Sequence, residues 1–303
     1  MKSKTNIVVI CGPTASGKTE LALQLAKELI KVNILSVDSR QVYKGLDTIT
    51  GKDIPRDLPK NIKVFGLDIF NSNEMANLGE FVRYSQNIIR SSVDTQTPLI
   101  IVGGTGLYLK AITQDLSFVA IPPNQTLRKE LEQLSLSSLQ EKLKIENPKK
   151  FSTINHSDLM NPRRLIRYIE ISISKITPQK LFSNQNIEFH WVGLMPEKDS
   201  LKDQINRRVE ERIKNGAIDE VKFLQKKYPD KTLPIYSSLG VLQIIDYLEK
   251  KISKTKLIEI WAKAEIDYAK RQIVWFKKQP NILWYDKDID RHKLSQELFK
   301  IYQ

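Results

Sequence analysis

The sequence predicts an α/β fold: a P-loop NTPase-like parallel sheet core interrupted by a helical insertion domain. Three observations carry this. An apolar run, Ile7-Val8-Val9-Ile10-Cys11, leads directly into Gly12-Pro13-Thr14-Ala15-Ser16-Gly17-Lys18-Thr19, the G-x-x-x-x-G-K-[ST] pattern of a phosphate-binding loop, and then into a helical stretch. Strand-like and helix-like segments alternate up to Asp115, as they do where parallel strands are joined by crossover helices. Beyond Pro122 only amphipathic helical segments remain, until a strand-like segment returns at Ile187.

Taken in order, Ile7–Cys11 predicts the first strand and Lys18–Ile30 the first helix, with Asn33–Val37 as a second strand ending at Asp38. A third strand is expected over Lys63–Ile69. A helix follows over Asn77–Ser91, with Phe81, Tyr84, Ile88 and Ile89 at helical spacing. Pro98–Val102 is continuously apolar, which suits a strand covered on both faces. Helices are expected over Leu127–Leu134, Ser138–Ile145 and Pro162–Ser174, then a loop over Thr177–Asn186 and a strand over Ile187–Met195. From Lys198 the pattern is helical, with one long basic segment at Leu257–Gln279. Residues 1–115 and 187–303 are therefore read as the core and 116–186 as the insertion.

In the phosphate loop, glycines let successive N–H groups turn toward one anion beside the positive end of a helix dipole. Lys18 adds a point charge for the terminal phosphate, and the Thr19 hydroxyl is suited to ligate Mg²⁺. A polyphosphate or diphosphate ligand follows. The formal net charge of +13, from 48 Lys and Arg against 35 Asp and Glu, is high for an enzyme of small molecules and favours a nucleic-acid partner. Cys11 is the only cysteine and lies in a strand, which excludes a disulfide framework and a thiolate metal site. His156, His190 and His292 are scattered and suggest no metal cluster. The N-terminus leaves no room for a signal peptide, and no apolar run approaches a membrane span, so a soluble cytoplasmic protein is expected.

Two further segments carry chemistry. The second strand delivers Asp38-Ser39-Arg40-Gln41-Val42-Tyr43, where strand ends bind ligands in open α/β sheets. Asp38 can there serve as a base, hold Mg²⁺ through water in the manner of a Walker B acid, or merely cap a turn. The fourth strand ends in Gly103-Gly104-Thr105-Gly106-Leu107-Tyr108, where a motor ATPase would place an acid; Gly-Gly-Thr instead permits close approach of a bulky ligand.

Together these segments resemble the tRNA dimethylallyltransferases (tRNA isopentenyltransferases). The matches run in order through GPTASGKT (12–19), DSRQVY (38–43), Gly103–Tyr108, RRLIR (163–167), the Arg208…Gly216…Glu220-Val221 pattern and AKRQIVWF (269–276). With a single cysteine the chain resembles the bacterial form, since eukaryotic members often add a zinc finger. The resemblance implies transfer of a dimethylallyl group from dimethylallyl diphosphate to N6 of the adenosine at tRNA position 37, 3′ of the anticodon, with Mg²⁺ as cofactor. It implies Asp38, Lys18, Thr19 and Thr105 as catalytic residues. Gly12 to Thr19 and Arg208 would bind the diphosphate.

For tRNA the resemblance implies contacts by Asp38, Ser39, Arg40, Gln41, Thr105, Arg128, Arg163, Arg164 and Arg167. Lys270, Arg271, Gln272 and Trp275 complete that set. Arg163, Arg164 and Arg167 fall at i, i+1 and i+4, and Lys263, Lys270 and Lys277 recur every seven residues. Trp275 and Phe276 could equally belong to the core, Phe276 the more so. The chain departs from the family pattern at Gln204, Val241, Leu242, Glu265 and Ile266, changes read as removing polar groups from the tRNA and diphosphate surroundings. A monomer is expected. The rival readings are a P-loop small-molecule or nucleotide kinase, a prenyltransferase acting on free adenylate, and a non-catalytic RNA-binding protein.

Overall fold

The computed structural model describes residues 4–55, 57–114, 116–176, 186–286 and 289–303. In chain order these form β1 (Thr5–Cys11), α1 (Lys18–Glu28), β2 (Val32–Val37), the single turn α2 (Asp47–Thr50), β3 (Ile62–Phe65), α3 (Leu78–Asp94), β4 (Leu99–Gly103) and α4 (Gly106–Thr113). Five helices follow: α5 (Gln125–Leu131), α6 (Leu136–Glu146), α7 (Pro148–Thr153), α8 (His156–Leu159) and α9 (Pro162–Ile173). The chain then continues through β5 (Ile187–Met195), α10 (Lys198–Lys214), α11 (Ala217–Lys227), α12 (Val241–Leu248), α13 (Lys254–Phe276), β6 (Ile282–Asp286) and α14 (Arg291–Phe299). Two compact units result, Met1–Gln114 with Asn184–Gln303, and Asp115–Ser183. No described helix is long and apolar enough to cross a membrane.

The first unit holds a six-stranded parallel sheet in the order β3-β2-β4-β1-β5-β6. Val8 to Cys11 of β1 and Ile100 and Ile101 of β4 are fully buried because both faces of the sheet are covered, which is why these strands read as unbroken apolar runs. On one face Leu21 and Leu25 of α1 pack with Leu294 and Leu298 of α14. The register decides where the functional segments meet. Cys11 pairs with Gly103 and Gly103 with Val37, so β1, β4 and β2 end at one level and hand Gly12, Gly104 and Asp38 to the same edge.

Several elements differ from the expected ones, most by a few residues at their ends. Helix α1 stops at Glu28, short of Ile30. The third strand is shorter than Lys63–Ile69: it stops at Phe65 because Gly66, at φ 90°, turns where a Cβ would lie 2.1 Å from the Ser36 carbonyl oxygen. β6 was expected to be helical; its short Ile-Leu-Trp-Tyr-Asp run becomes a strand because the open edge of β5 supplies its pairing partners, Trp191 to Met195. The loop expected over Thr177–Asn186 lies, up to residue 185, outside the described residues.

The second unit is helical around Leu131, Leu139, Leu143, Leu165, Ile166 and Ile169. Its helices run from four to twelve residues, too short to persist alone. Each has a side-chain N-cap: Asn124, Ser135, Asn147, Asn155 and Asn161 accept from the backbone N–H three residues on. Such caps contribute about 1 kcal/mol apiece.

Glu170 ties three segments of this unit. Its carboxylate accepts from Arg128 Nε and Nη2 at 3.0 and 2.8 Å, from Arg167 Nη1, and from the Asn124 N–H at 2.5 Å. Burial pushes the Glu170 carboxyl up, but the hydrogen bonds from Arg128, Arg167 and Asn124 bring it below the ordinary range. Its stabilising contribution is present above that range and is lost as pH falls through the lowered value. Glu170→Ala is expected to destabilise the protein by on the order of 3 kcal/mol, the low end for a broken buried pair because both arginines can turn outward. Urea unfolding checks this; a change below about 0.5 kcal/mol, typical of exposed pairs, would contradict it.

Candidate active site

The phosphate loop is shaped by three residues with positive φ, Gly12 (146°), Ala15 (59°) and Gly17 (82°), the last standing as the N-cap of α1. Gly12 admits no side chain, since a Cβ would lie 2.6 Å from the Leu194 carbonyl oxygen of β5. Lys18 folds back to donate to the Pro13 carbonyl at 2.5 Å. Burial, and then the neighbouring Arg208, lower its pKa to about 8, against the pull of Asp38 and Cys11. The Cys11 thiol beneath the loop is pushed up to about 12 by its burial, so it stays neutral. Ser16 is fully buried and its hydroxyl has no protein partner among the described residues.

Asp38 follows β2 directly. Its Oδ1 accepts from the N–H groups of Arg40 (2.8 Å) and Gln41 (3.4 Å), so one carboxylate oxygen does cap the turn. The Ser39 N–H donates to Thr105 Oγ1 at 3.2 Å, joining this turn to the one after β4. Arg40 Nη1 donates to the Pro234 carbonyl. Lys18, Thr19, Asp38, Ser39, Arg208, Tyr268 and Arg271 all line one cavity of about 320 Å³, open at the C-terminal edge of the sheet. The cavity thus has a cationic phosphate side and an acidic side bearing Asp38.

Several residues expected to contact tRNA have other partners here. Gln41 accepts from Ser36 Oγ and donates to the Thr50 and Gly51 carbonyls, so its amide holds the turn. Gln272 is 6% exposed, with both ends of its amide bonded to backbone. Trp275 packs against Gly106, where a Cβ would lie 2.2 Å from the ring, and meets Phe276 edge-on. Phe276 is fully buried. In the second unit Arg167 is spent on Glu170 and on the Phe118 and Ile121 carbonyls and Arg128 on Glu170, whereas Arg164 pairs with Asp158 yet stays exposed. Arg163 is exposed. On α13, Lys263, Lys270 and Arg271 are exposed, as is Lys277 just beyond it; Lys270 pairs with Asp267 at 3.0 Å.

Arg208, expected to bind the diphosphate, reaches Thr14 Oγ1 at 3.2 Å and Asp53 at 2.6 Å. Other residues of the site were not anticipated: one helical turn on from Arg208, the buried Arg212 pairs with Glu265 at 2.8 Å. Burial lowers the Arg212 pKa, and the Glu265 carboxylate opposes that. Glu265 therefore does not strip the cavity wall of polarity; it adds a charge that matches Arg212. The i, i+4 spacing of Arg208 and Arg212 was the available signal. Glu220 accepts from the Thr48 and Ile49 N–H groups at 2.8 and 3.0 Å and so secures α2 and the segment leading to Asp53. Arg291 pairs with Glu20 beside Gly17, a contact across 271 positions that spacing could not reveal. Burial, then Asp38, push the Tyr268 hydroxyl up to about 12, against the opposing pull of the neighbouring Thr105 and of Arg40.

A glycine-bent anion loop opening a helix, with a carboxylate on the next strand of the same cavity, defines an α/β protein built to act on a phosphorylated compound. The sequence model of the IPP transferase family matches residues 41–279. The chain belongs to that family. It is 33% identical to the tRNA dimethylallyltransferase of Prochlorococcus marinus (strain AS9601), over 98% of this chain and 96% of the relative. It is 35% identical to tRNA dimethylallyltransferase 1 of Geotalea uraniireducens (strain Rf4), over 98% and 97%. Among solved structures it resembles the full-length tRNA isopentenylpyrophosphate transferase of Bacillus halodurans, with a TM-score of 0.70, 30% identity and coverage of 98% and 95%. A eukaryotic dimethylallyltransferase acting on tRNA shares the fold at a TM-score of 0.77 and 22% identity, over 98% of this chain and 78% of that one.

Proposed function

We propose that the chain is a tRNA dimethylallyltransferase that moves a dimethylallyl group from dimethylallyl diphosphate to N6 of the adenosine at tRNA position 37, releasing diphosphate. The observation that carries this reading is the single cavity bearing Lys18, Thr19 and Arg208 against Asp38, in a chain of this family. The N6 lone pair forms a bond to the allylic C1 as the C1–oxygen bond breaks. The departing diphosphate gains charge as that bond lengthens, and Lys18, Arg208 and the loop N–H groups meet that charge with fixed dipoles and cations. The exocyclic amine is a weak nucleophile whose proton must leave, and Asp38 accepts it at Oδ2, while Oδ1 stays bound to the turn. Thr105, whose Oγ1 accepts from the Ser39 N–H and lies beside Tyr268, orients the acceptor base.

Mg²⁺ fits the Thr19 hydroxyl, a hard oxygen donor on the wall of the same cavity, and its remaining ligands would be water and phosphate oxygens. When bound it would neutralise charge on the diphosphate. The target adenosine must leave its stack to enter the cavity. Asp38, Ser39, Arg40 and Thr105 surround it there. Arg163, Arg164, Lys270 and Arg271, with the basic stripe of Lys263 and Lys277, serve the RNA backbone. Arg128, Arg167, Gln41, Gln272 and Trp275 contribute by holding the elements in place. The enzyme works as a cytoplasmic monomer.

The test supplies unmodified tRNA, Mg²⁺ and labelled dimethylallyl diphosphate, with labelled ATP in a parallel reaction. Prenyl label in tRNA, lost when the adenosine 3′ of the anticodon is replaced, is the expected result. Label passing from ATP to a small acceptor, without prenyl transfer, would establish a kinase instead.

A further inference from the structure

Helix α13 presents Tyr268, Gln272 and Trp275 at i, i+4 and i+7, one face of the helix. Each meets a different residue of the turn after β4. Tyr268 lies beside Thr105, Gln272 Nε2 donates to the Gly104 carbonyl at 2.9 Å, and the Trp275 ring covers Gly106. Gln272 alone of the three also reaches the phosphate loop, where its Oε1 accepts from the Thr14 N–H at 2.8 Å. We infer that Gln272 is a positioning residue for the transfer: its buried carboxamide sets the separation between the diphosphate-binding loop and the turn carrying Thr105.

The chemistry of the side chain suits that task. The two loops offer it one donor and one acceptor, and a carboxamide is the side chain that answers both with a single planar group. A glutamate would satisfy Thr14 but set an oxygen against the Gly104 carbonyl. Asparagine, one methylene shorter, would not span the gap. A Cβ on residue 104 would lie 2.5 Å from Nε2, so the glycine is what lets the amide in. At 6% exposure neither polar end is left for solvent or RNA. A wrong separation acts on the reacting pair directly, since a misplacement of about 1 Å can slow a positioned reaction about 10²-fold.

The inference rests on the prenyl-transfer reading for its activity arm, while its binding arms stand apart. Gln272→Met keeps the volume and removes both hydrogen bonds. Its kcat for prenyl transfer is expected to fall about 10²-fold. Calorimetry with inorganic pyrophosphate and Mg²⁺ is expected to show affinity weakened about threefold to tenfold, the loss of one ordinary hydrogen bond's support of the loop. The Kd for tRNA should stay within about twofold, because the side chain offers RNA nothing. A variant with weakened tRNA binding but unchanged kcat and pyrophosphate affinity would overturn the inference and return Gln272 to the RNA contacts. Should Gln272→Met not fold, Gly104→Ala, whose methyl displaces the same amide, carries the test with the same expected pattern, and wild-type kcat in it would refute the role. A wild-type protein that binds pyrophosphate and tRNA but transfers no prenyl group defeats the reaction proposed above, and the pyrophosphate comparison still decides for or against the clamp.

Discussion

Asp38→Asn is expected to lower the single-turnover rate of prenyl transfer by about 10²-fold or more while tRNA binding stays within about twofold. The substitution is chosen because it separates the two uses of the side chain. An asparagine oxygen can still accept from the Arg40 and Gln41 N–H groups, so the turn that carries Ser39 to Thr105 survives. What is lost is the second oxygen as a proton acceptor. Asp38→Ala removes both and should add a loss of tRNA affinity to the loss of rate. Unchanged turnover in Asp38→Asn would reduce Asp38 to the turn cap that its Oδ1 already is.

Lys18→Met should cost the leaving-group side of the reaction about 10²–10³ in rate, the scale for removing one preorganised partner of developing charge. The same residue gives a pH dependence whose sign is fixed by its surroundings. Its pKa in the free protein is lowered to about 8, by burial first and by Arg208 second. The ammonium is present below that value and lost above it, so pyrophosphate affinity should fall as pH rises through about 8, with proton uptake on binding in that range. Lys18→Met should remove this part of the slope, and Arg208→Ala should shift it to higher pH while weakening binding throughout. Calorimetry in two buffers of different ionisation enthalpy measures the proton uptake directly. Equal slopes for wild type and Lys18→Met would assign the pH dependence to another group.

The positions of these two residues were legible in sequence because their signals are local. An apolar run, a glycine-bent loop and a helix occupy adjacent residues, and so do Ile34 to Val37 and Asp38. Parallel strands that are buried on both faces read as unbroken apolar runs, and the register of β1, β4 and β2 then brings their ends together. The Gly103-Gly104-Thr105-Gly106 turn was also visible, but its reason was not. Gly104 and Gly106 make room for Gln272 and Trp275 of a helix more than 160 positions later, beyond any loosely packed ligand.

Which basic and amide side chains are free was decided by the tertiary structure alone. Arg163 and Arg167 share a helical face by spacing, yet Arg163 is exposed and Arg167 turns onto Glu170 and two carbonyls. Glu265 looked like the loss of a polar neighbour until Arg212 was found beside it, 53 positions away. β6 carries too short a pattern to declare itself and is a strand because β5 offers an edge. The division has one physical cause. Backbone conformation and burial periodicity are set by neighbours in sequence, so the sequence determined the sheet, the anion loop and the acid that follows β2. The state of a polar side chain is set by which partner competes for it in space, and only the folded chain brings that partner within reach.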